Sequence, residues 1–515
     1  MITVPTVQRK ATLLAAFLTL VLLLVWRSGA NYRDLVAGGG ENESHLNQQA
    51  ANTNHRNHDN DPIFQAQIEF WKSFSKILDK TKPDVESPKR MGIANAVGFD
   101  ANKDLQRPDL TAMPEEDVLK MRHAHSKFVN FLQAVDMKLQ GTYVPKSRGI
   151  VSTAGGQYLP VFVISLRMLR RTGSNIPVEV LLASSSEYES EICEGVLPGL
   201  NAKCIVLTDI LEASGHTQPI EHYQLKCFAM LFSSFEEFLF LDADAFPAYD
   251  PKELFSNEPY VSKGMVTWPD FWASAASPKY YEISGQAVPS MMSRQSTESG
   301  EILLHKGTHG RALLLATYYN YYGPSHYYIL LSQGAPGEGD KETFCAAADA
   351  LSVRYYQTSE RVQPMGKPNK DGGCDGSAMV QFDPVEDYNL TSHGLWRVKD
   401  QNAAKRPRPF FVHVNYPKFN PATVFHEGGP TKDLEGKDAR AWRIYQDTVQ
   451  SFGYDLEERF WEEIKWTACE LEAKFRSWQG QRDICATTTD YWNIVFGTPL
   501  ERILEHHEPS RVSVK

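Results

Sequence analysis

Apolar residues in the middle of this chain, from about residue 141 to 425, form short runs separated by segments with helical spacing. The first predicted strand runs from residue 149 into a turn at Gly155 and Gly156. Strands that alternate with helices are typical of a sheet covered by helices, so residues 141–425 are predicted to be an α/β domain with a mixed, mainly parallel sheet. Further strands are predicted at residues 178–182, 204–207, 238–241, 265–272 and 410–420, and helices at 158–171, from 186, 224–232 and 311–322.

Both flanks of this domain are predicted to be helical. Residues 63–78 place Trp71 and Phe74 at helical spacing, which predicts an amphipathic helix that packs on the domain or pairs with another chain. With a second helix predicted from Glu115 to about residue 139, residues 63–140 form a helical neck. Residues 426–515 are charged and rich in tryptophan, and they are predicted to be an accessory helical extension.

The amino terminus has the pattern of a membrane anchor. Residues 11–26 are a charge-free apolar run of 16 residues that follows Arg9 and Lys10. As a helix this run covers about 24 Å, which suits a thin, early secretory bilayer. A cleavable signal peptide is the alternative, but no clear cleavage site precedes Arg27. We predict a cytosolic tail at 1–10, one transmembrane helix at 11–26 and a polar, disordered stem at 27–62.

Net charge and cysteine spacing argue against two classes of function, nucleic-acid binding and zinc binding. The net charge of −10 argues against a nucleic-acid partner, for which a basic face would be expected. The seven cysteines form no C-x-x-C pair, which argues against zinc. In an oxidising lumen up to three disulfides are possible, and pairs of near neighbours such as Cys193 with Cys204 and Cys469 with Cys485 are guesses. Sequons at Asn42 and Asn389 are candidate glycosylation sites and fit a luminal chain.

A pair of carboxylates is the strongest chemical signal. The buried run at residues 238–241 ends at Asp242 and Asp244, before Pro247, which cannot continue a central strand. In extended chain, residues i and i+2 face the same side, and open α/β sheets bind ligands beyond their carboxyl ends. The pair therefore predicts a metal–diphosphate site of a nucleotide-sugar transferase, with a solvated strand end as the alternative. A second D-x-D, at residues 59–61, has no preceding strand, and we assign it no function.

Other candidates have a structural alternative of similar weight. Gly155 and Gly156 could admit a nucleotide closely or serve only the turn. Lys226 could reach donor phosphate or be an ordinary solvated lysine. Trp268, Asp270 and Trp272 form an aromatic cluster that could be a sugar pocket or core, because aromatic rings serve both.

Two later segments complete the candidate site. The loop at residues 330–344 is rich in glycine and carries Glu338, Asp340 and Glu342, so it is predicted to face a ligand, with solvated charges as the alternative. His413 lies in an apolar strand, where burial without a polar partner is costly. We predict that it joins Asp242 and Asp244 as a third metal ligand, and a neutral core histidine is the alternative.

These motifs together resemble the fungal Golgi α-mannosyltransferases of glycosyltransferase family 71, in particular the branch that adds α-1,2-mannose to N-glycan outer chains. The resemblance covers about residues 149–420. It rests on the segments 233–247, Trp268-Pro-Asp-Phe-Trp, Glu298-Ser-Gly and 332–344. It implies a GT-A nucleotide-sugar transferase fold, GDP-mannose as donor, Mn²⁺ as cofactor and retention of anomeric configuration. The family commonly has Asn where this chain has Ala245.

The resemblance also implies roles and surroundings. The metal would bridge Asp242, Asp244 and the donor diphosphate, with Lys226 and Lys418 adding positive charge. Asp340 is the candidate that holds the acceptor hydroxyl or stabilises the reacting sugar, with Glu338 or Glu342 as substitutes. The implied acceptor is a mannosylated glycan at the Golgi membrane, with a possible complex of other glycosyltransferases. The alternatives are α-1,3-mannosyl or other retaining hexosyl transfer, and a non-catalytic luminal glycan-binding protein.

Overall fold

The computed structural model describes residues 61–134, 139, 141–216, 218–443 and 450–497. The strands are β1 (Lys89–Arg90), β2 (Thr111–Ala112), β3 (Val144–Thr153), β4 (Val178–Leu182), β5 (Ala202–Val206), β6 (Phe235–Leu241), β7 (Ala245–Pro247), β8 (Met265–Ala273), β9 (Gln295–His305), β10 (Tyr356–Gln357), β11 (Gln363–Pro368), β12 (Cys374–Phe382) and β13 (Pro409–His413).

Helices precede, separate and follow these strands. They are α1 (Pro62–Lys80), α2 (Glu115–Ala134), α3 (Tyr158–Arg171), α4 (Ser190–Cys193), α5 (Leu207–Ala213), α6 (Gln224–Phe232), α7 (Tyr260–Lys263), α8 (Pro278–Ser284), α9 (Lys306–Tyr321), α10 (Tyr328–Ser332), α11 (Thr343–Ala350), α12 (Pro384–Ser392), α13 (Leu456–Leu471) and α14 (Ile484–Val495). Within the described residues no helix is both long enough and apolar enough to cross a membrane. The predicted anchor and stem, apart from residues 61 and 62, lie outside them.

The main sheet has seven strands in the order β10-β8-β9-β6-β3-β4-β5. All neighbours are parallel except β9, which runs antiparallel to both β6 and β8. The apolar residues of β4 and β6 are buried on both faces, as expected of strands covered by helices. The prediction of a mixed, mainly parallel α/β sheet is confirmed.

A second, four-stranded antiparallel sheet has the order β11-β12-β13-β7. Its strand β7 begins at Ala245, directly after the pair of carboxylates that ends β6. The chain therefore passes from one sheet to the other across Asp242 and Asp244. Because β13 pairs with β7 so that His413 lies opposite Ala245, the histidine reaches this junction from a distant part of the chain.

Helix α1 packs on the main domain, as one of the two alternatives predicted. Trp71 is fully buried, and its ring lies edge-on to Phe228 at 5.3 Å between centroids. The side chain of Gln67 donates hydrogen bonds to the backbone oxygens of Thr142 and Phe232. These contacts tie the neck to α6, the helix that leads into β6.

The carboxyl-terminal helices contribute to the core of the second sheet. Phe460 of α13 stacks on Phe246 of β7 at 5.2 Å between centroids, and Glu463 forms ion pairs with Arg167 and Arg171 of α3. The domain limits predicted from the sequence, including that of the accessory extension, stay predictions. The predicted strand at 410–420 is wrong beyond its first half, because β13 ends at His413.

Two disulfides join the cysteine pairs guessed from proximity. Cys193 is bonded to Cys204 and Cys469 to Cys485. Cys227, Cys345 and Cys374 are free thiols, and the first two are buried. Each disulfide closes a short loop, because the bonded cysteines are 11 and 16 residues apart.

Glu457 at the start of α13 predicts a pH-dependent stability. Its buried carboxylate accepts hydrogen bonds from the backbone nitrogens of Ala441 and Trp442, and burial raises its pKa from 4.5 to about 7. Between those values the folded state binds more protons than the unfolded state, so stability falls as pH rises. Glu457→Gln should remove this slope, a difference of about 3 kcal/mol across the window.

The measurement is urea unfolding at several pH values between 4.5 and 7. Glu470→Gln is the matched control, because Glu470 lies on the same helix but is exposed. Equal pH slopes in wild type and Glu457→Gln would contradict the prediction.

Candidate active site at the junction of the two sheets

The two carboxylates are fixed by backbone hydrogen bonds at the end of β6. The nitrogen of Asp242 donates to the oxygen of Gly300 at 2.9 Å, which continues the pairing with β9. The oxygen of Asp244 accepts from Val414 at 2.8 Å, which joins it to the chain after β13. Asp244 is 3% exposed. The pair is therefore held between both sheets and is not a solvated strand end.

His413 lies between these aspartates and a third carboxylate. Its Nε2 is 3.3 Å from Asp244 Oδ1 and 3.7 Å from Asp242 Oδ2, and its Nδ1 is 3.3 Å from Glu298 Oε1. Burial disfavours the charged imidazole, but Glu298 and Asp244 outweigh it and raise the pKa of His413 well above its usual value. The structure thus gives the histidine charged partners on both sides, unlike a neutral core histidine.

Two lysines point at the same aspartates. Lys226 Nζ is 2.7 Å from Asp242 Oδ2 and 3.2 Å from Ser299 Oγ, while Lys418 Nζ hydrogen-bonds to Asp244 Oδ2. Burial opposes their charge, but the neighbouring carboxylates raise the pKa of both lysines. Burial also opposes the charge of Asp244, yet Lys418 and His413 hold its pKa below the usual range. Lys226 is therefore no ordinary solvated lysine.

Strand β9 supplies carboxylates to which sequence reasoning gave no role. Glu298 and Glu301 are both buried beside His413. Burial, together with the charge of Glu298, raises the pKa of Glu301 well above its usual value. The signal was the Glu298-Ser-Gly-Glu301 segment directly before the apolar residues 302–304, but the long-range pairing of β9 with β6 is not visible in the sequence.

Gly300 is required by this arrangement. A Cβ at this position would lie 2.6 Å from His413 Nδ1 and 2.8 Å from Glu298 Oε2. Both distances are shorter than real Cβ contacts. Glycine at residue 300 therefore leaves the space in which the side chains of His413 and Glu298 lie next to each other.

The glycine-rich loop places only one of its three acidic candidates toward this centre. Asp340 is 2% exposed, and its Oδ2 has no hydrogen-bond partner within the described part of the chain. Burial raises the pKa of Asp340 to about 6 against the opposing charge of Lys226. Glu338 instead forms an ion pair with Arg90, and Glu342 pairs with Arg294 at 2.7 Å. Their predicted role as substitutes for Asp340 gains no support from these contacts.

The three residues of the aromatic cluster differ in burial. Trp268 is fully buried, and its Nε1 donates to the oxygen of Phe382 at 2.9 Å. Of the two alternatives, the structure therefore places Trp268 in the core. Asp270 is buried and pairs with Lys341 at 2.7 Å, and Trp272 is partly exposed.

The remaining candidates are the glycines of the turn after β3 and the two sequons. Gly155 packs against the carboxylate of Glu187, which would meet a Cβ at 2.4 Å, whereas Gly156 faces open space. The turn thus has a structural reason for at least one glycine. Asn389 is exposed on α12, and Asn42 lies outside the described residues.

The donor set fits a divalent cation. One ligand atom each from Asp242, Asp244 and His413 lie within 4.8 Å of one another. Carboxylate oxygens with one imidazole nitrogen are ligands that Mn²⁺ accepts. The second ring nitrogen of His413 faces Glu298, and a carboxylate commonly orients metal-bound histidine in this way.

Comparisons with known proteins identify the class as mannosyltransferases. A mannosyltransferase family model (Mannosyl_trans3) matches residues 147–295 and 290–383. The α-1,2-mannosyltransferase MNN21 of Candida albicans is 32% identical over 494 residues, covering 82% of this chain and 74% of that protein. MNN2 of Saccharomyces cerevisiae is 32% identical, covering 66% and 67%. The chain belongs to this fungal mannosyltransferase family, family 71, and it is an enzyme.

A further relative is matched over less of its own length, and two solved structures are matched at lower identity. The chain spans 61% of MNN24 of Candida albicans, to which it is 32% identical. Among solved structures, the galactosyltransferase LgtC is 14% identical, covers 41% of this chain and 73% of its own, and has a TM-score of 0.27. GlyE of Streptococcus pneumoniae is 13% identical, covers 65% and 66%, and has a TM-score of 0.31. TM-scores this low do not define the fold.

Proposed function

We propose that this protein transfers mannose from GDP-mannose to mannosyl acceptors of glycoprotein outer chains, forming α-1,2 linkages with retention of configuration. The observation that carries the proposal is the cluster of Asp242, Asp244 and His413 with Lys226 and Lys418 at the carboxyl edge of the sheet. Family membership supplies the sugar, and the relatives' names supply the linkage. The GT-A fold and Mn²⁺ are part of the same proposal.

Charge explains how this cluster can serve a diphosphate donor. The cation would be held by Asp242, Asp244 and His413. When bound, it would neutralise the negative charge that grows on the leaving nucleotide. Lys226 and Lys418 are kept charged by the same aspartates, so they add positive charge at the site. The raised pKa of Glu301 favours its uncharged form, which would reduce the negative charge beside His413.

Asp340 is positioned for the reacting sugar. It lies close enough to Lys226 and Asp242 for their charges to affect its pKa, and its free oxygen is buried. We propose that this oxygen accepts a hydrogen bond from the acceptor hydroxyl or stabilises positive charge on the departing mannosyl group. Glu342 cannot do this while it holds Arg294, Ser296 and the backbone of Thr297.

The test is a donor panel with the full-length protein purified in detergent. With Mn²⁺ and an α-mannoside acceptor, we expect transfer from GDP-mannose and a product that an α-1,2-specific mannosidase digests. Transfer from UDP-sugars alone would contradict the donor, and a product resistant to that mannosidase would contradict the linkage.

We further propose a location in the Golgi membrane, through one helix at residues 11–26 with the catalytic domain in the lumen, and a complex with other glycosyltransferases. The support is the charge-free apolar run after Arg9 and Lys10 and the exposed sequon at Asn389. An amino-terminal tag shielded from protease in sealed vesicles would contradict this orientation.

A further inference from the structure

A cavity of about 780 Å³ lies at the same edge of the main sheet as the carboxylate cluster. Seen from β6, it lies on the side of β9, β8 and β10, and strands β3 and β4 lie on the other side. Its wall includes residues beside the end of β8, at the start of β9 and at the end of β10. Because β9 is antiparallel to β6 and extends beyond it, Gln295 lies past the end of β6. We call this cavity the β9 cleft, and its central lining residues are Arg107, Tyr281, Arg294, Gln357, Trp396 and Lys399.

The lining chemistry of the β9 cleft suits a neutral, polyhydroxylated ligand. Trp396 is 41% exposed although it is a large aromatic residue, and it has Lys399 near its ring at 5.8 Å. Aromatic faces of this kind pack on the apolar faces of sugars. Asp349 and Gln357 supply carboxylate and amide groups that can pair with hydroxyls.

The two arginines of the β9 cleft are already bonded, and Lys399 has its ammonium 5.8 Å from the ring centroid of Trp396. Arg294 donates to Glu342 at 2.7 Å and has Asp349 at 4.0 Å. Arg107 donates to the backbone oxygens of Ala276 and Pro289. Phosphate groups are typically bound by bidentate arginine contacts, and both arginines of the cleft are already engaged, so the lining favours a saccharide over a second nucleotide.

Two physical links connect the β9 cleft to the carboxylate cluster. Along β9, Gln295 in the cleft is three residues from Glu298, a distance of about 10 Å in a strand. In the glycine-rich loop, Asp340 faces Lys226, and Glu342, two residues later, holds Arg294 in the cleft wall. A chain bound in the cleft could therefore present one end at Asp340.

We propose that the β9 cleft binds the oligosaccharide chain of the acceptor, with Trp396 stacking on one sugar and the Arg294–Asp349 pair bonding its hydroxyls. This inference rests on the proposed function. The cleft then makes binding depend on the length of the acceptor, because a monosaccharide bound at Asp340 does not reach Trp396.

The test is calorimetric binding of a linear α-linked mannose oligosaccharide to the full-length protein, with GDP and Mn²⁺ present. We expect wild type to bind the oligosaccharide more tightly than methyl α-mannoside and Trp396→Ala to bind it roughly tenfold more weakly. Asp349→Asn should also weaken it. Ile494→Ala is the matched control, because Ile494 is 62% exposed and lies on α14, outside the cleft.

Each outcome separates this inference from the proposed function. Unchanged oligosaccharide affinity in Trp396→Ala, or no oligosaccharide binding by wild type, would overturn the cleft assignment even if GDP-mannose binds and reacts. Oligosaccharide binding that depends on Trp396, in a protein that neither binds nor uses GDP-mannose, would support the cleft and reject the donor.

Discussion

Asp244→Asn is expected to reduce mannosyl transfer at least about a thousandfold, and excess Mn²⁺ should not restore it. The substitution removes a carboxylate that faces Lys418 and His413 at once. It also removes a charge that raises the pKa of both groups, in the case of His413 together with Glu298. The measurement is the initial rate with GDP-mannose across a range of Mn²⁺ concentrations, alongside thermal unfolding to verify that the variant folds.

The chain offers a control in its second D-x-D segment. Asp61 caps α1 by accepting hydrogen bonds from the nitrogens of Ile63 and Phe64. Asp61→Ala should therefore cost about 1 kcal/mol of stability without changing transfer. A folded Asp244→Asn protein with wild-type transfer would contradict the site.

Elements whose evidence is local were predictable from the sequence. Helix α3 and strand β4 have the predicted limits, because apolar spacing and the glycine at residue 173 define them within a few residues. The carboxylate pair was predictable for the same reason, since a buried run stops at it. The cysteine pairs are close in sequence, and proximity was enough to guess them.

Features that depend on pairing between distant segments were harder. His413 was predicted as a ligand from the cost of burying it, but only the pairing of β13 with β7 shows how it reaches the aspartates. Glu298 has its role because β9 crosses antiparallel between β6 and β8, and no local pattern encodes that order. In the glycine-rich loop, composition could not distinguish Asp340 from its neighbours, because the direction of each side chain depends on Lys226 and Arg294 elsewhere.

His413→Ala should weaken Mn²⁺ affinity by about a hundredfold or more and lower transfer, with partial recovery at high Mn²⁺. Asp242 and Asp244 remain in this variant, so a weakened oxygen-only site survives, whereas Asp244→Asn replaces one of the two carboxylates by a neutral amide. The measurements are Mn²⁺ titration by calorimetry and transfer rates as a function of Mn²⁺. The recovery at high Mn²⁺ is the readout that a purely structural role would not produce.

Another buried histidine tests the alternative that His413 is only a core residue. His309 is 3% exposed, compared with 5% for His413, but its Nε2 contacts the backbone oxygen of Arg354 at 3.0 Å, and no carboxylate among the described residues pairs with it. Its pKa is lowered by burial, whereas that of His413 is raised by Glu298 and Asp244 despite burial. His309→Ala should therefore lose stability but keep wild-type Mn²⁺ dependence. If His413→Ala behaves in the same way, the histidine is a core residue and the metal site consists of the aspartate pair alone.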